Sequence, residues 1–114
     1  MLKFKIALVP FPFDDLSGSK VRTCICLTEP TSAYQHVIVA FITSQISKAS
    51  ESSDLHILSS DAAFASTGLR TSSAIRLHRV ATLPIHLFVR QLGTLPIHYH
   101  EELHLKLKDL FQLE

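Results

Sequence analysis

Apolar positions in this chain recur mainly at every second residue, in short runs broken by proline, glycine and serine, and change to a three-to-four spacing only near the end. The runs Lys3–Phe11, Val21–Thr28, His36–Thr43, Asp54–Leu58 and Ser72–Leu83 predict strands. Pro10 and Pro12 end the first, because neither has an N–H to give a ladder. Glu29-Pro30 followed by Thr31-Ser32 makes a turn after the second. His36–Thr43 is apolar without alternation, which predicts burial on both faces at the centre of a sheet. In the last run, alternation sets Ile75 and Leu77 on one face and Arg76 and His78 on the other. Between strands, the serine-rich Gln45–Ser53 has no period and predicts an exposed loop, while Ser60 offers a cap for one helical turn through Phe64 that Gly68 can end.

The tail carries an internal echo, Thr82-Leu83-Pro84-Ile85-His86 and Thr94-Leu95-Pro96-Ile97-His98. Each copy puts proline where a first helical turn accepts it, with a threonine ahead to cap it, so both predict helix starts. The second opens a helix over about Pro96–Leu113, with Tyr99, Leu103, Leu107, Leu110 and Phe111 on one stripe facing the sheet. Glu101 and Glu102 sit early in it and Lys106 and Lys108 late, as the helix dipole favours. Five or so short strands and a terminal helix predict a strongly bent small sheet or partly open barrel, although periodicity does not separate this from other small β-rich folds.

Length fits one domain over residues 1–114 that buries enough surface to fold alone. A net charge of +1 excludes a basic carpet, so any polyanion must be gripped by a local arrangement of cations. Cys24 and Cys26, two apart on one strand, are poorly placed for a mutual disulfide and predict buried, reduced thiols, which suits a cytoplasmic protein. The apolar start is broken by Lys3, Lys5 and two prolines and reads as a strand instead of a signal peptide; no run approaches a membrane span, so no membrane partner is expected.

Charge and turn chemistry coincide in Pro10–Leu27. Asp14, Asp15, Ser17, Gly18 and Ser19 are turn formers, and Lys20 and Arg22 then fall on alternate positions, on one face of the second strand. This stretch, read as Ser17-Gly18-Ser19-Lys20-Val21-Arg22-Thr23, resembles the signature of MazF/PemK-like toxins of type II toxin–antitoxin systems, the mRNA interferase family. Three further blocks are similar to that family in the same order: Val37 to Gln45 ending in Ile-Thr-Ser-Gln, Thr67-Gly68-Leu69 followed by Ser73 and the strand from Ile75, and Leu92-Gly93-Thr94-Leu95 ahead of the last helix. The resemblance implies an SH3-like small barrel of the MazF/PemK/CcdB type with a C-terminal helix, usually a homodimer. It implies a metal-independent endoribonuclease, without cofactor, that cleaves single-stranded RNA to a 2′,3′-cyclic phosphate and is neutralised by a cognate antitoxin protein.

Such chemistry needs a proton acceptor for the 2′-hydroxyl, positive charge on the phosphorane oxygens and a donor for the leaving oxygen. The resemblance gives Arg22 the place beside the scissile phosphate, with a share in proton transfer, and Thr43 a phosphate oxygen or the reacting hydroxyl. Taken alone, Arg22 equally suits a surface ion pair with Asp14 or Asp15, and Thr43 a strand-end hydroxyl bonded to backbone. Lys20 and Ser19 are candidates for the RNA backbone, Gln45 and Ser73 for a base edge, and Phe13 for stacking on an unpaired base. Thr23 stands where the family has proline; threonine keeps its N–H and a softer φ, which loosens the placement of Arg22 and weakens activity.

Other classes leave weaker traces. His100, Glu101 and His104 fall in the H-E-x-x-H order of zincins with His98 nearby, but five residues are a short match and exposed histidines on a helix are common, so a metal site is not the reading taken. There is no Gly-x-Ser-x-Gly elbow and no P-loop. The rival is a non-catalytic binding module on the same barrel, either a gyrase-type toxin or a decayed toxin kept for binding a protein partner.

Overall fold

A computed structural model describes residues 1–10 and 20–114. The strands are β1 (Lys5–Pro10), β2 (Val21–Cys26), β3 (His36–Thr43), β4 (Asp54–Ile57), β5 (Ser73–Pro84) and β6 (Arg90–Thr94), followed by helix α1 (His100–Leu110). Every pairing is antiparallel, and the sheet order is β4-β5-β3-β2-β1-β6. The bounds expected for the third strand are met residue for residue, and β3 lies inside the sheet with Val37, Val39 and Ala40 fully buried. Ile38 is the departure, exposed near the strand's start.

The sheet has two apolar faces. Ile6, Ile25, Ala40, Ile75 and Leu77 face inward and meet Leu55 and Ile57 of β4 and Tyr99 and Leu103 of the helical tail. Val9, Cys24, Cys26, Val37, Val39, Phe41 and Leu83 form a second cluster on the outer face, against Leu2, Leu87 and Phe88. Each Ile, Leu or Val fully withdrawn from water contributes about 1.5–3 kcal/mol, so both layers stabilise the sheet. The sheet curls until β6 reaches the 3-10 turn Phe64–Thr67 that links β4 to β5. The contact is backbone against backbone. A Cβ on Gly68 would lie 2.2 Å from the Leu92 carbonyl oxygen, and one on Gly93 would lie 2.3 Å from that of Ser66. This makes a curled half-barrel with one C-terminal helix.

β5 departs most from simple alternation. Phe41 pairs with Arg76 but its neighbour Ala40 pairs with Val80, so Leu77, His78 and Arg79 have no partner in β3. Three extra residues invert the phase of the strand. Ile75 and Leu77 face inward as expected, but beyond the bulge Ala81 and Leu83 belong to the outer cluster.

Other expectations need correction. β6 was not foreseen as a strand; its edge position and Gly93 leave too little alternation to see. The two threonines of the echo do not cap: neither Ile85–Leu87 nor Ile97–Tyr99 has a side-chain cap, each starts after an extended proline, and Thr94 donates its hydroxyl to the Phe4 carbonyl instead. Asp61, and not Ser60, holds the turn before Gly68, accepting the Ala63 N–H at 2.8 Å. Gln45–Ser53 contains the 3-10 turn Ile46–Lys48 and buries Ala49, and Lys106 Nζ donates to the Ser52 carbonyl at 2.8 Å. Phe111 leaves the buried stripe and is exposed.

The histidines of the tail have separate tasks. His98 Nε2 lies 2.6 Å from Asp61 Oδ2, which also accepts the Tyr99 hydroxyl at 2.8 Å. His100 stacks on Phe4 with ring centroids 3.6 Å apart and donates from Nε2 to the Leu95 carbonyl. His104 is exposed. Among the described residues no three His, Cys, Asp or Glu converge as a metal site, and no helix is long and apolar enough to cross a membrane.

Candidate active site

In the β2–β3 ladder Cys24 faces Phe41 and Thr23 faces Ile42. One step further along the same register sets Arg22 across from Thr43, and opposed residues of an antiparallel pair share a face. Arg22 and Thr43 therefore stand together on the outer face, where the ladder ends. Thr43 Oγ1 accepts the Gln45 N–H at 3.1 Å, which fixes the hydroxyl oxygen and leaves its hydrogen to point away from the backbone.

Both residues border two clefts. One, of about 620 Å³, opens at the end of the half-barrel between Leu8, Thr23 and Ile42 on the sheet and Leu69 and Leu92 at the seam, with Arg70 and Arg90 on its sides. The other, of about 440 Å³, lies on the outer face among Phe41, Lys48, Arg76 and Arg79. Arg22, Thr43 and Gln45 line both, and so form the rim between them. Arg22, Lys48, Arg70, Arg76, Arg79 and Arg90 are more than half of the 11 lysines and arginines of the chain. Among the described residues, no carboxylate lines either cleft. A chain of net charge +1 thus concentrates its cations at one end of the sheet.

Arg76 is held from behind. Its Nε donates to Asp54 Oδ1 at 2.9 Å, and the Asp54 side chain is fully buried. The other oxygen of Asp54 accepts the Glu51 N–H at 2.9 Å, and His78 Nδ1 is 3.8 Å from Oδ1. Anchoring through Nε leaves the two terminal amino groups of the guanidinium directed along the fork that matches phosphate oxygens. Beneath Arg22, Cys24 is no nucleophile: burial pushes its thiol up to about 12, with Cys26 adding to the effect.

The residues singled out in the sequence divide clearly. Arg22, Thr43 and Gln45 come together. Lys20 is exposed immediately ahead of β2 at the same end of the sheet. Ser73 lines the larger cleft but is buried, and its hydroxyl donates to the Thr71 carbonyl at 2.9 Å. Phe13, Ser19 and the acids Asp14 and Asp15 lie outside the described residues. Thr23 stands within β2, paired with both Leu8 and Ile42. The sequence reading missed Lys48, Arg70, Arg79 and Arg90 as parts of the site, and had Arg76 only as the polar face of a strand. Arg79 carries the one signal that was available, a charge at a position where alternation from Ile75 and Leu77 predicts a core residue.

Comparison with known proteins follows this geometry. The family described as PemK-like, MazF-like toxin of type II toxin–antitoxin system matches residues 3–111. Among solved structures, the Mycobacterium tuberculosis toxin MazF-mt6 is similar with a TM-score of 0.73 at 21% sequence identity, covering 96% of this chain and 98% of that one. At that identity the likeness speaks to the fold. No curated protein matches the chain significantly.

Proposed function

We propose, from the premise that the chain belongs to the PemK-like, MazF-like toxin family of type II toxin–antitoxin systems, that it is a metal-independent endoribonuclease cutting single-stranded mRNA at the Arg22/Thr43 rim. The observation that carries this reading is the joint placement of Arg22 and Thr43 on the border of two clefts lined by several cations.

In the reading, Arg22 lies against the scissile phosphate and stabilises the charge that builds on its oxygens as the 2′-hydroxyl attacks. It shares in moving the proton off that hydroxyl, while Thr43, steadied by the Gln45 N–H, donates its O–H to a phosphate oxygen. As the 2′-oxygen bonds to phosphorus the P–O5′ bond breaks, the proton given up by the 2′-hydroxyl ends on the leaving 5′-oxygen, and the product is a 2′,3′-cyclic phosphate. Lys20, and Ser19 next to it in sequence, steer the backbone. Gln45 on the rim offers its amide to a base edge, Ser73 uses the lone pairs of its hydroxyl oxygen, and Phe13 stacks on an unpaired base. Thr23 at the proline position of the family lowers the rate by leaving Arg22 less rigidly held. Residues 1–114 act as one toxin domain, in the cytoplasm, as a homodimer, and a cognate antitoxin protein neutralises it by occupying the Lys20/Arg22 end of the sheet.

The test is cleavage of single-stranded RNA by purified protein in excess chelator, comparing Arg22→Ala and Thr43→Ala. Loss in both, with a cyclic phosphate end from the unmodified protein, supports the reading; unchanged cleavage in both removes it.

A further inference from the structure

We infer that the outer-face cleft is a second phosphate subsite, in which Lys48 and Arg79 hold the RNA backbone beyond the phosphate at Arg22, so that the substrate strand crosses the Thr43/Gln45 rim and occupies both clefts. This rests on the ribonuclease reading for the identity of the ligand, and goes beyond it in assigning residues that have no part in the chemistry.

Three features of the molecule converge here. The first is placement. The outer cleft, of about 440 Å³, shares Arg22, Thr43 and Gln45 with the larger one, so a chain leaving the rim on that side meets Lys48, Arg76 and Arg79 next. The second is charge. Asp54 takes the Nε of Arg76, but among the described residues no carboxylate lies within ion-pair range of Lys48 or Arg79, both of which are exposed. Two uncompensated cations beside a third, held guanidinium repel one another unless an anion lies between them. The third is the backbone. Arg79 reaches this cleft only because the bulge at Leu77, His78 and Arg79 inverts the phase of β5; continued alternation would have turned it inward with Ile75 and Leu77. A bulge that re-aims one arginine from the core side to a cationic cleft is a device for binding.

The ligand chemistry is a phosphodiester on a flexible strand. A cleft rimmed by separate point charges, without a deep apolar floor, suits evenly spaced anions and positions them without reading bases. Apolar contact is confined to Phe41 and Ile42.

The experiment measures equilibrium binding of 2′-O-methyl RNA oligonucleotides, which cannot be cut because the attacking hydroxyl is blocked, by fluorescence anisotropy over a range of salt. Short oligonucleotides of about three residues are compared with long ones of about ten. In the unmodified protein the long strand binds more tightly and with the steeper salt dependence. Lys48→Ala and Arg79→Ala each weaken the long strand about threefold, and the pair together about tenfold. Each lowers the slope of log affinity against log salt by about 0.7, as loss of one phosphate contact on a single strand requires. Both leave the short oligonucleotide and its cleavable analogue unaffected, as does Lys108→Ala on the long strand. Lys48→Glu and Arg79→Glu enlarge the loss, and as exposed sites they are tolerated by the fold. Unchanged slopes in Lys48→Ala and Arg79→Ala overturn the subsite while leaving cleavage at Arg22 standing. Equal loss on short and long strands, or loss only of binding to a polyglutamate peptide, also overturns it, the latter in favour of an acidic protein partner. Absence of any RNA binding by the unmodified protein removes subsite and ribonuclease reading together.

Discussion

Gly68 and Gly93 interlock across the seam of the half-barrel, each presenting bare backbone to the segment that carries the other: Gly68 to the Leu92 carbonyl, Gly93 to the carbonyls of Ser66 and Thr67. The seam consequently has no room for a methyl group from either side. Gly93→Ala forces its Cβ to 2.3 Å from the Ser66 oxygen and is expected to cost about 2 kcal/mol, as overpacking of a fixed backbone does. Gly68→Ala adds a backbone penalty, since Gly68 has φ of +73°, and should cost about 3 kcal/mol. Urea denaturation should lower the midpoint in both, more in Gly68→Ala; an unchanged midpoint in Gly93→Ala would mean that β6 does not close against the turn.

Asp54 is the buried hub behind the cleft. Asp54→Ala strips Arg76 of its partner, leaves the Glu51 N–H without its carboxylate, and should destabilise the fold by about 3 kcal/mol. Asp54→Asn keeps an acceptor for one of the two and should lose less. The order Ala worse than Asn, measured by thermal or urea unfolding, distinguishes a hydrogen-bonded hub from an incidental contact.

Acid should loosen the helical tail first. The Ala63 N–H, then His98 and Tyr99, hold the Asp61 carboxyl down to about 2 against an ordinary 3.8. A carboxyl lowered on folding stabilises the native state above its unfolded pKa, and that stability is lost as pH falls from about 4 towards 2. Stability measured across this window should fall in the unmodified protein and be flatter in Asp61→Asn. A matching slope in both would assign the acid lability to other carboxylates. Glu29, lowered by the Leu2 and Lys3 backbone N–H groups, acts with the same sign.

The thiols should be silent in the native protein. Burial raises Cys24 and Cys26 to about 12, with the charge of Cys26 adding to the effect on Cys24 and that of Glu29 to the effect on Cys26. Thiolate is then scarce at pH 8, and both sulfurs are sealed beneath the outer face. Iodoacetamide followed by mass spectrometry should show no labelling until urea unfolds the chain. Rapid native labelling would show that this layer opens.

Legibility in the sequence followed the strength of the local pattern. β3 was readable to the residue because a run dominated by valine, isoleucine and phenylalanine ends in polar Thr43-Ser44-Gln45. The pairing of Arg22 with Thr43 was implied by the family resemblance alone; what sets them opposite is the β2–β3 register, which no local pattern displays. β6 was hidden because an edge strand of five residues containing a glycine needs little alternation when its partner β1 supplies the register. Ser60 and the threonines of the echo misled for another reason: several side chains compete for the same orphan N–H groups, and tertiary position decides among them. The basic side of the site was illegible because Lys48, Arg70, Arg79 and Arg90 come from four separate segments and meet only when the sheet curls.

The three residues of β5 that lack a partner in β3 also set a parity. With three, the backbone must break its alternation once between Leu77 and Ala81, because Ile75 and Leu77 face inward while Ala81 and Leu83 face outward; with one residue fewer, plain alternation would carry Ala81 and Leu83 to the same outer side. The odd count therefore belongs to the local distortion and not to the strand beyond it, and shortening the insert by one should leave the outer cluster in place.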